Sequence, residues 1–338
     1  MQFGKALNRI LQHVFDANPR YGPVYMSKID IADGFYRIGI HPEDAIKLAV
    51  LFPTRPGDVP LIGIPLTLPM GWVESPPAFC TATETTADLT NAILRQGSLR
   101  PHPHRLDDLA ETPPAPAPTA DARRPTHSTP SPVPIERNNH PRLQKPIAYT
   151  DVYVDDFLLL SQGNKRRRKH VKQALLHSLD RVFRPLDAAD NSALIKKLKK
   201  GDATWQTQQT MLGWVINSTR GTIELPPHRV DRLHDLLNSI CPTRRLVPTK
   251  TWHKLLGELR SMAIAIPGAQ GLFSLLQEAF RHEERQHSQR VLATKRVHYH
   301  HWPSRILDSR PSPSPTRTSL HPAPRLHTRT RLSRLAPL

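Results

Sequence analysis

Residues 151–160 read DVYVDDFLLL, so two adjacent carboxylates stand between strongly apolar residues. The β-branched and aromatic residues on both sides predict a β-hairpin with Asp155 and Asp156 at its tip. Adjacent carboxylates repel each other, and partial burial makes each charge more costly. A divalent cation would relieve both problems, because Mg²⁺ prefers carboxylate oxygens and keeps positions open for substrate phosphates. The alternative is an ordinary hairpin turn, in which Asp is favoured for its backbone hydrogen bonds.

A second acidic position stands 125 residues before Asp155. Asp30 lies between Ile29 and Ile31, in a predicted strand over residues 24–31 that a soluble protein would normally bury. A lone Asp there could be a core carboxylate with satisfied hydrogen bonds. Two strands that each offer carboxylates are what a two-metal phosphoryl-transfer site requires, with one ion at the attacking oxygen and one at the leaving oxygen. Sequence spacing alone leaves open whether the two strands meet.

Apolar periodicity predicts the elements around these two positions. The predicted helices cover residues 6–15, 76–91, 165–183, 230–240 and 252–266. Further strands are predicted over residues 37–40 and 47–52, with a strand pair around 211–216 and 221–225. This mixture indicates an α+β fold.

The composition restricts the kind of partner and the compartment. The chain has 338 residues and a net charge of +18, which favours a polyanionic partner. No apolar run is long enough for a membrane span, and the N-terminus lacks the pattern of a secretory signal. Two cysteines, Cys80 and Cys241, exclude a disulfide framework or a zinc module. We therefore expect an intracellular protein without a membrane partner, with nucleus or cytoplasm left open.

Two segments are predicted to be disordered. Residues 101–146 hold twelve of the 35 prolines and little aliphatic periodicity, which is typical of an insertion or linker. Residues 285–338 hold eleven Lys or Arg residues against one acidic residue, Asp308. That tail could be a nucleic-acid-binding arm or a reading-frame extension past a truncated gene.

Four motifs, taken in order, resemble the reverse transcriptase domain of retroelements of the gypsy-like and related retrotransposon kind. They lie at residues 27–38 with 40–49, 68–72 with 75–79, 153–156, and 212–214. These motifs are similar to the first catalytic motif of that family, its nucleotide-binding motif, its catalytic hairpin and its primer-gripping turn. The resemblance covers roughly residues 5–280.

The resemblance implies an RNA-directed DNA polymerase. A primer 3′ hydroxyl would attack the α-phosphate of a dNTP on an RNA or DNA template, with two Mg²⁺ ions for which Mn²⁺ could substitute. Asp30, Asp155 and Asp156 would be the catalytic, metal-binding carboxylates, and the backbone of Ile31 would join them.

The resemblance also implies nucleotide contacts at Phe35, Met70, Gly71 and Tyr153. The bulk of Phe35 would close the space beside the sugar, where a 2′ hydroxyl distinguishes RNA from DNA precursors. Plain core packing is the other interpretation of Phe35. Met70 stands where the best-known viral members have Gln, so an amide contact to the nucleotide would be missing.

The primer and template contacts implied by the resemblance are Leu212, Gly213 and Trp214. A lysine near the incoming triphosphate is expected between the catalytic hairpin and this turn, where Lys196, Lys197, Lys199 and Lys200 are candidates. The basic run at residues 165–169 could contact template phosphates, or it could be a solvated helix face.

The predicted organisation is a polymerase palm of antiparallel sheet and packed helices, with a helical thumb and incomplete fingers. Residues 1–100 would form partial fingers and the first half of the palm, and 101–146 a disordered Pro-rich insertion. Residues 147–225 would complete the palm with the catalytic hairpin and primer grip, 226–284 would form the thumb, and 285–338 the basic disordered tail.

The basic finger hairpin and an RNase H pattern are missing from the sequence. We therefore expect a fragment of a polyprotein, with a partner or another polyprotein segment supplying the fingers and RNase H. The main alternative is a catalytically inactive retroelement remnant that binds nucleic acid non-specifically through its charge. An unrelated basic scaffold with a coincidental Asp-Asp turn would predict no pairing of Asp30 with the hairpin.

Overall fold

The computed structural model describes residues 5–97, 102–114, 132–134, 143–187, 189–239, 246–263, 277–278 and 290–292. It has a mixed α+β fold in which the paired strands run antiparallel, so the predicted α+β class is confirmed. The predicted tail lies outside the described residues except for 290–292, and residues 101, 115–131 and 135–142 of the predicted insertion also lie outside them. Among the described helices, none combines the length and apolar character that a membrane crossing needs.

The helices are α1 (Ala6–Asp16), α2 (Pro42–Ala45), α3 (Ser75–Gln96), α4 (Asp107–Ala110), α5 (Lys165–Phe183), α6 (Ile195–Lys199), α7 (Pro227–Asn238) and α8 (Thr249–Ala263). The strands are β1 (Val24–Asp30), β2 (Val50–Leu51), β3 (Ile62–Gly63), β4 (Val133–Pro134), β5 (Ala148–Tyr153), β6 (Asp156–Gln162), β7 (Gln208–Met211), β8 (Trp214–Asn217), β9 (Thr222–Glu224), β10 (Leu246–Pro248) and β11 (Arg290–Leu292). Short 3₁₀ helices cover Pro19–Tyr21, Gly34–Arg37 and Ile46–Leu48.

A three-stranded sheet in the order β1-β6-β5 forms the centre of the molecule. Side chains alternate between its two faces along each strand, and both faces are buried. On one face Val24 and Met26 pack with Leu158 and Leu160 against α1, the β7–β9 strands, α7 and α8. On the other face residues such as Phe157 pack against α3 and α5. Burial on both faces explains why β6 is apolar throughout its middle.

The outer edge of the central sheet is covered by a side chain. The Asn91 amide of α3 donates to the Thr150 carbonyl at 2.7 Å and accepts from the Thr150 N–H at 2.9 Å. The neighbouring Val152 N–H donates to the Asp151 carboxylate at 2.8 Å. These contacts satisfy backbone groups of β5 that point away from β6.

Two predicted strands near the first acidic motif are confirmed only in part. Arg37 ends the 3₁₀ helix Gly34–Arg37, which begins after Asp33 in a left-handed conformation at φ 52°. After it, Ile38 is extended and Gly39 forms an isolated antiparallel bridge with Thr67. Residues 47–52 are extended only at Val50–Leu51, because the chain before them is helical. Pro42 in the first turn of α2, followed by two acidic residues, favours that helical start.

Part of the predicted disordered insertion is ordered. Residues 102–114, which we call the docked arm, contain α4 and bury Leu106 and Ala110 in the core beside α5 and α6. The Lys172 ammonium of α5, itself 2% exposed, donates to the Ala110 carbonyl and to Glu111 at 2.9 Å. The disorder prediction is therefore wrong over the docked arm. The residues that order the arm lie far from it in the sequence, so its local composition did not reveal them.

Candidate active site

Asp30 and Asp156 are directly opposite each other in the antiparallel pairing of β1 with β6. Opposed residues in an antiparallel pair project from the same face of the sheet, so the carboxylates share the face on which Lys28 also lies. Asp155 precedes Asp156 in the two-residue turn that joins β5 to β6. The fold thus brings Asp30, Asp155 and Asp156 to one end of the central sheet.

The turn itself has an unusual backbone. Val154 has a φ of 59°, a left-handed conformation that is uncommon for a β-branched residue. Tight two-residue hairpins need such angles, and Gly or Asn usually supplies them. Val154 packs against the core on the α3 and α5 side, which compensates part of the conformational cost. The position of Asp155 therefore depends on a strained residue next to it.

Asp30 is 6% exposed, and only one of its two carboxylate oxygens has a hydrogen-bond partner among the described residues. Its Oδ2 accepts a hydrogen bond from the Lys197 ammonium of α6. Its Oδ1 is buried without a hydrogen-bond partner in the described part of the chain. A buried carboxylate oxygen without a partner is destabilising, so this atom is free to accept a cation or a donor.

The two hairpin carboxylates are electrostatically disfavoured. Burial raises the pKa of Asp155, and the neighbouring charge of Asp156 raises it further. Burial also raises the pKa of Asp156, where Lys28 opposes the shift and Asp202 adds to it. Both shifts mean that burial, together with neighbouring negative charges, disfavours the ionised carboxylates.

The side chains, as they stand, do not form a complete metal cage. Within the described ranges, no three His, Cys, Asp or Glu side chains form a group that could hold a metal ion. At Asp30 the Lys197 ammonium supplies the positive charge. The chemistry of the donors nevertheless suits Mg²⁺, because Asp30 Oδ1 has no partner and hard cations prefer carboxylate oxygens.

The predicted contribution of Ile31 is limited to its backbone. Its side chain is 6% exposed and packs in the core on the α3 and α5 side of the sheet. The segment before α6 pairs with the outer edge of β1 at its C-terminal end, where Ile31 forms an isolated antiparallel bridge with Ala193. The Leu194 N–H donates to the Asp30 carbonyl at 2.9 Å, which anchors α6 beside the carboxylates.

Phe35 is partly buried and stacks on Phe79 of α3, with ring centroids 4.5 Å apart. This contact agrees with core packing and leaves part of the ring exposed. Gly34 allows the close approach of α3, because a Cβ at that position would lie 2.6 Å from Phe79 Cζ. The pair therefore fixes the chain just after β1.

The other predicted nucleotide contacts lie on two separate turns. Tyr153 is 40% exposed and is paired with Asp156 at the end of the β5–β6 hairpin, on the face of the carboxylates. Met70 is 69% exposed in the turn before α3, which the Trp72 N–H closes on the Pro69 carbonyl at 3.4 Å. Gly71 in that turn has a φ of 100°, which explains the glycine.

Leu212 and Gly213 form the tight turn between β7 and β8. Their φ angles of 50° and 77° are both left-handed, as a two-residue hairpin turn requires. The Gly213 carbonyl accepts a hydrogen bond from Arg229 of α7 at 3.0 Å. Trp214 is 2% exposed, so its side chain belongs to the core. The predicted primer contact of Trp214 is thereby restricted to its backbone.

The sequence did not single out several residues that lie near the carboxylates or contact the β7–β8 turn. Lys28 could have been found because it alternates with Asp30 along β1. Lys197 was one of four candidate lysines, and its choice depends on how α6 is anchored. Asp202 and Arg229 gave no signal, because their roles depend on turns that bring distant residues together.

Compared with known proteins, the sequence matches no family model and no curated protein. Arguments about its function therefore depend on the geometry described above.

Proposed function

We propose that the chain is the core of an RNA-directed DNA polymerase that extends a primer with deoxynucleotides. The observation that carries the proposal is the register of β1 and β6, which sets Asp30 opposite Asp156, the chain neighbour of Asp155. Two opposed carboxylates on one face of a sheet, with a third in the adjoining turn, suit two-metal nucleotidyl transfer. The central sheet would be the palm, and α7 and α8 would belong to the thumb.

Asp30 Oδ1, Asp155, Asp156 and the Ile31 backbone would hold the ions. Magnesium, when bound, supplies the positive charge that stabilises the transferring phosphoryl group. The raised pKa values of Asp155 and Asp156 support this assignment, because a cation would favour the ionised forms that the protein alone disfavours.

Lys197 is the lysine that we assign to the incoming triphosphate. Its ammonium is hydrogen-bonded to Asp30, whereas Lys196 and Lys199 on the same short helix are exposed. An ammonium on a flexible stem can exchange a carboxylate for a phosphate without leaving the site. Phe35 and Tyr153 would contact the nucleotide, and the turn at Leu212 and Gly213 would contact the primer backbone.

The hairpin of β2 and β3 supports the proposal that a further protein segment completes the fingers. Its apolar side chains include Phe52, Leu61 and Ile62, which are 49%, 62% and 59% exposed. Exposed apolar side chains concentrated on one small hairpin favour a protein partner over water. We propose that this partner is the fingers segment that the resemblance to reverse transcriptases leads us to expect.

Primer extension on a primed RNA template with Mg²⁺ and deoxynucleotides tests the proposal. We expect extension by the wild type and its loss, at least a thousandfold, in the Asp155→Asn, Asp156→Asn double variant, because two metal-binding charges are removed. The exposed Asp58→Asn is the control, and it should extend at the wild-type rate. Wild-type protein that fails to extend any primer would reject the proposal.

Lys197→Gln provides a second test, with Lys196→Gln as its matched control. The first substitution should lower the extension rate at least tenfold and the second less than twofold, since of these two lysines it is Lys197 that is hydrogen-bonded to Asp30. Equal effects would reject the assignment of Lys197.

The second candidate function is non-specific nucleic-acid binding by an inactive remnant. The contact of Lys197 with Asp30 and the incomplete metal cage favour it. Salt-sensitive binding that is equal in the wild type and the Asp155→Asn, Asp156→Asn variant, together with no extension, would identify this function.

A further inference from the structure

We propose that a cavity at the start of α5 binds a phosphate group of a nucleic-acid backbone. The cavity has a volume of about 290 Å³, and its polar lining consists of Asn164, Arg166, Arg167 and His170. Leu94, Gly97 and Ala148 complete the lining, so no carboxylate is among the described residues that line this cavity. The proposed site extends beyond the polymerase function, because it needs none of the carboxylates of the candidate active site.

The cavity is remote from those carboxylates. Asp156 begins β6, and α5 begins at Lys165, three residues after β6 ends at Gln162. At about 3.3 Å per residue, a seven-residue strand separates the two sites by roughly 20 Å. A phosphate bound at this cavity is therefore not the phosphate of a nucleotide at Asp30.

Arg167 provides the strongest evidence for an anion. Its Nη2 donates to the Pro146 carbonyl at 2.8 Å, but its Nε is buried without a hydrogen-bond partner in the described chain. The ion pairs of the described residues include no carboxylate for Arg167. Burial lowers the pKa of the guanidinium, which reflects the cost of a desolvated cation. An anion in the cavity would offset that cost.

The charge pattern of α5 agrees with this interpretation. Its first turn holds Lys165, Arg166 and Arg167 and no acidic residue. Cations at a helix N-terminus oppose the helix dipole, whereas an anion bound there is favoured by it. The next residue, Arg168, lies over the Tyr25 ring at 3.8 Å and so has a structural partner of its own. Arg166 and Arg167 are the residues left to face the cavity.

A polymeric anion fits the surroundings better than a free ion. Arg167 also lines an adjoining cavity of about 780 Å³, to which Arg95 and Lys145 contribute further cations. Of the acidic residues there, Asp151 is paired with Arg9 at 2.6 Å, while Glu84 and Asp88 also line the space. Cations that line two adjoining cavities suit successive phosphates of a single strand.

The test measures the affinity of the full chain for a fluorescent 20-nucleotide single-stranded DNA at several salt concentrations. Arg166→Gln and Arg167→Gln are compared with Arg181→Gln, which removes one exposed charge from the far end of the same helix. We expect each cavity variant to bind at least fivefold more weakly. The slope of log affinity against log salt concentration should become shallower by about one, as for the loss of one phosphate contact. The control should change the affinity less than twofold.

A second readout separates binding from folding. Arg167→Met should bind the oligonucleotide as weakly as Arg167→Gln, yet melt no lower than the wild type, because the desolvated charge is gone. Arg166 is exposed, so Arg166→Gln should fold normally in any case.

Three results would overturn the proposal. The first is equal oligonucleotide affinity in the cavity variants and Arg181→Gln. The second is a lowered melting temperature of Arg167→Met with unchanged affinity, which would make Arg167 purely structural. The third is stabilisation of the wild type but not of Arg167→Gln by inorganic phosphate, without any difference in oligonucleotide binding. That result would assign the cavity to a small free anion.

Discussion

Arg229 of α7 donates from Nη1 to the carbonyl of Gly213, at 3.0 Å, in the turn between β7 and β8. Its Nη2 donates to Glu258 at 3.2 Å and to the Ser261 hydroxyl of α8. One guanidinium therefore connects the turn to both helices of the proposed thumb. Hydrogen bonds between charged groups are stronger than neutral ones, so this connection holds the turn and the helices at a fixed spacing.

Gly213→Ala should weaken this connection. The left-handed φ of 77° costs about 1–2 kcal/mol for Ala, and the added Cβ would lie 2.7 Å from Arg229 Nη1. Displacement of Arg229 should add about 1–3 kcal/mol of lost hydrogen bonding. Urea unfolding measures the sum.

Gly221→Ala is the matched control for that substitution. Its φ is also left-handed, at 62°, but its Cβ would meet nothing within 4 Å. The control should cost only the backbone strain of about 1 kcal/mol. If Gly213→Ala were no more destabilising than Gly221→Ala, the connection through Arg229 would not contribute to stability.

Gly34→Ala tests the close approach of α3 to the chain after β1. Its Cβ would lie 2.6 Å from Phe79 Cζ, and Phe79 is fully buried, so the ring has little room to move. We expect a loss of about 1–3 kcal/mol in unfolding free energy, as for other overpacked cores. Gly39→Ala, which meets nothing within 4 Å, should be near neutral, and Phe79→Leu should relieve the defect in the double variant.

Asp190 should make stability depend on pH in acid. The Arg37 guanidinium, paired with it at 2.6 Å, lowers the pKa of Asp190 to about 2. A carboxylate with a lowered pKa stabilises the folded state above its unfolded pKa of about 3.8 and loses that contribution as the pH falls toward 2. Asp190→Asn should cost about 1 kcal/mol at pH 6, since the pair is partly exposed.

The pH dependence provides the check on the Asp190 prediction. The difference in urea midpoint between wild type and Asp190→Asn should shrink steadily between pH 4 and pH 2. A difference that stays constant over this range would mean that the pairing with Arg37 does not stabilise the fold.

Lys172→Met should detach the docked arm. The change leaves the Ala110 carbonyl and the Glu111 carboxylate without the Lys172 ammonium, which should cost about 1–3 kcal/mol. Burial lowers the pKa of Lys172 from its ordinary value of 10.5, and Glu111 partly opposes the shift. The Lys172 ammonium therefore keeps its proton to higher pH in the unfolded chain than in the folded chain. Wild-type stability should consequently rise relative to Lys172→Met as the pH approaches 10.5.

Proteolysis reports the same detachment locally. Cleavage within residues 102–114 should become faster in Lys172→Met, while Lys165→Met, a substitution of an exposed lysine on the same helix, should alter it less. Unchanged cleavage would mean that the docked arm is held by its apolar contacts alone.

The long periodic elements could be predicted from the sequence because the spacing of their apolar residues shows which face each element buries. The apolar stripe of α5 and the alternation of β1 specify which faces are buried, and the structure has both elements. The docked arm could not be predicted in this way. Its order depends on a buried lysine and on α6, which follow it by more than sixty residues.

The candidate site was only partly predictable for a related reason. The residue types at Asp30, Asp155 and Asp156 indicated metal chemistry, but the register of β1 on β6 decides whether the carboxylates meet. A shift of one residue would turn Asp30 to the opposite face of the sheet. Lys197 was indistinguishable from its neighbours until the anchoring of α6 set its direction.

The amide of Asn91, which is hydrogen-bonded to β5, affects how copies of this chain behave at high concentration. A protein that gathers on a nucleic acid brings its neighbours close together, and an open sheet border then invites one molecule to extend the sheet of the next. Asn91 acts as a one-residue substitute for a fourth strand, because it both donates to and accepts from Thr150. An incoming strand must first displace that amide, so this border resists aggregation when copies of the chain are crowded.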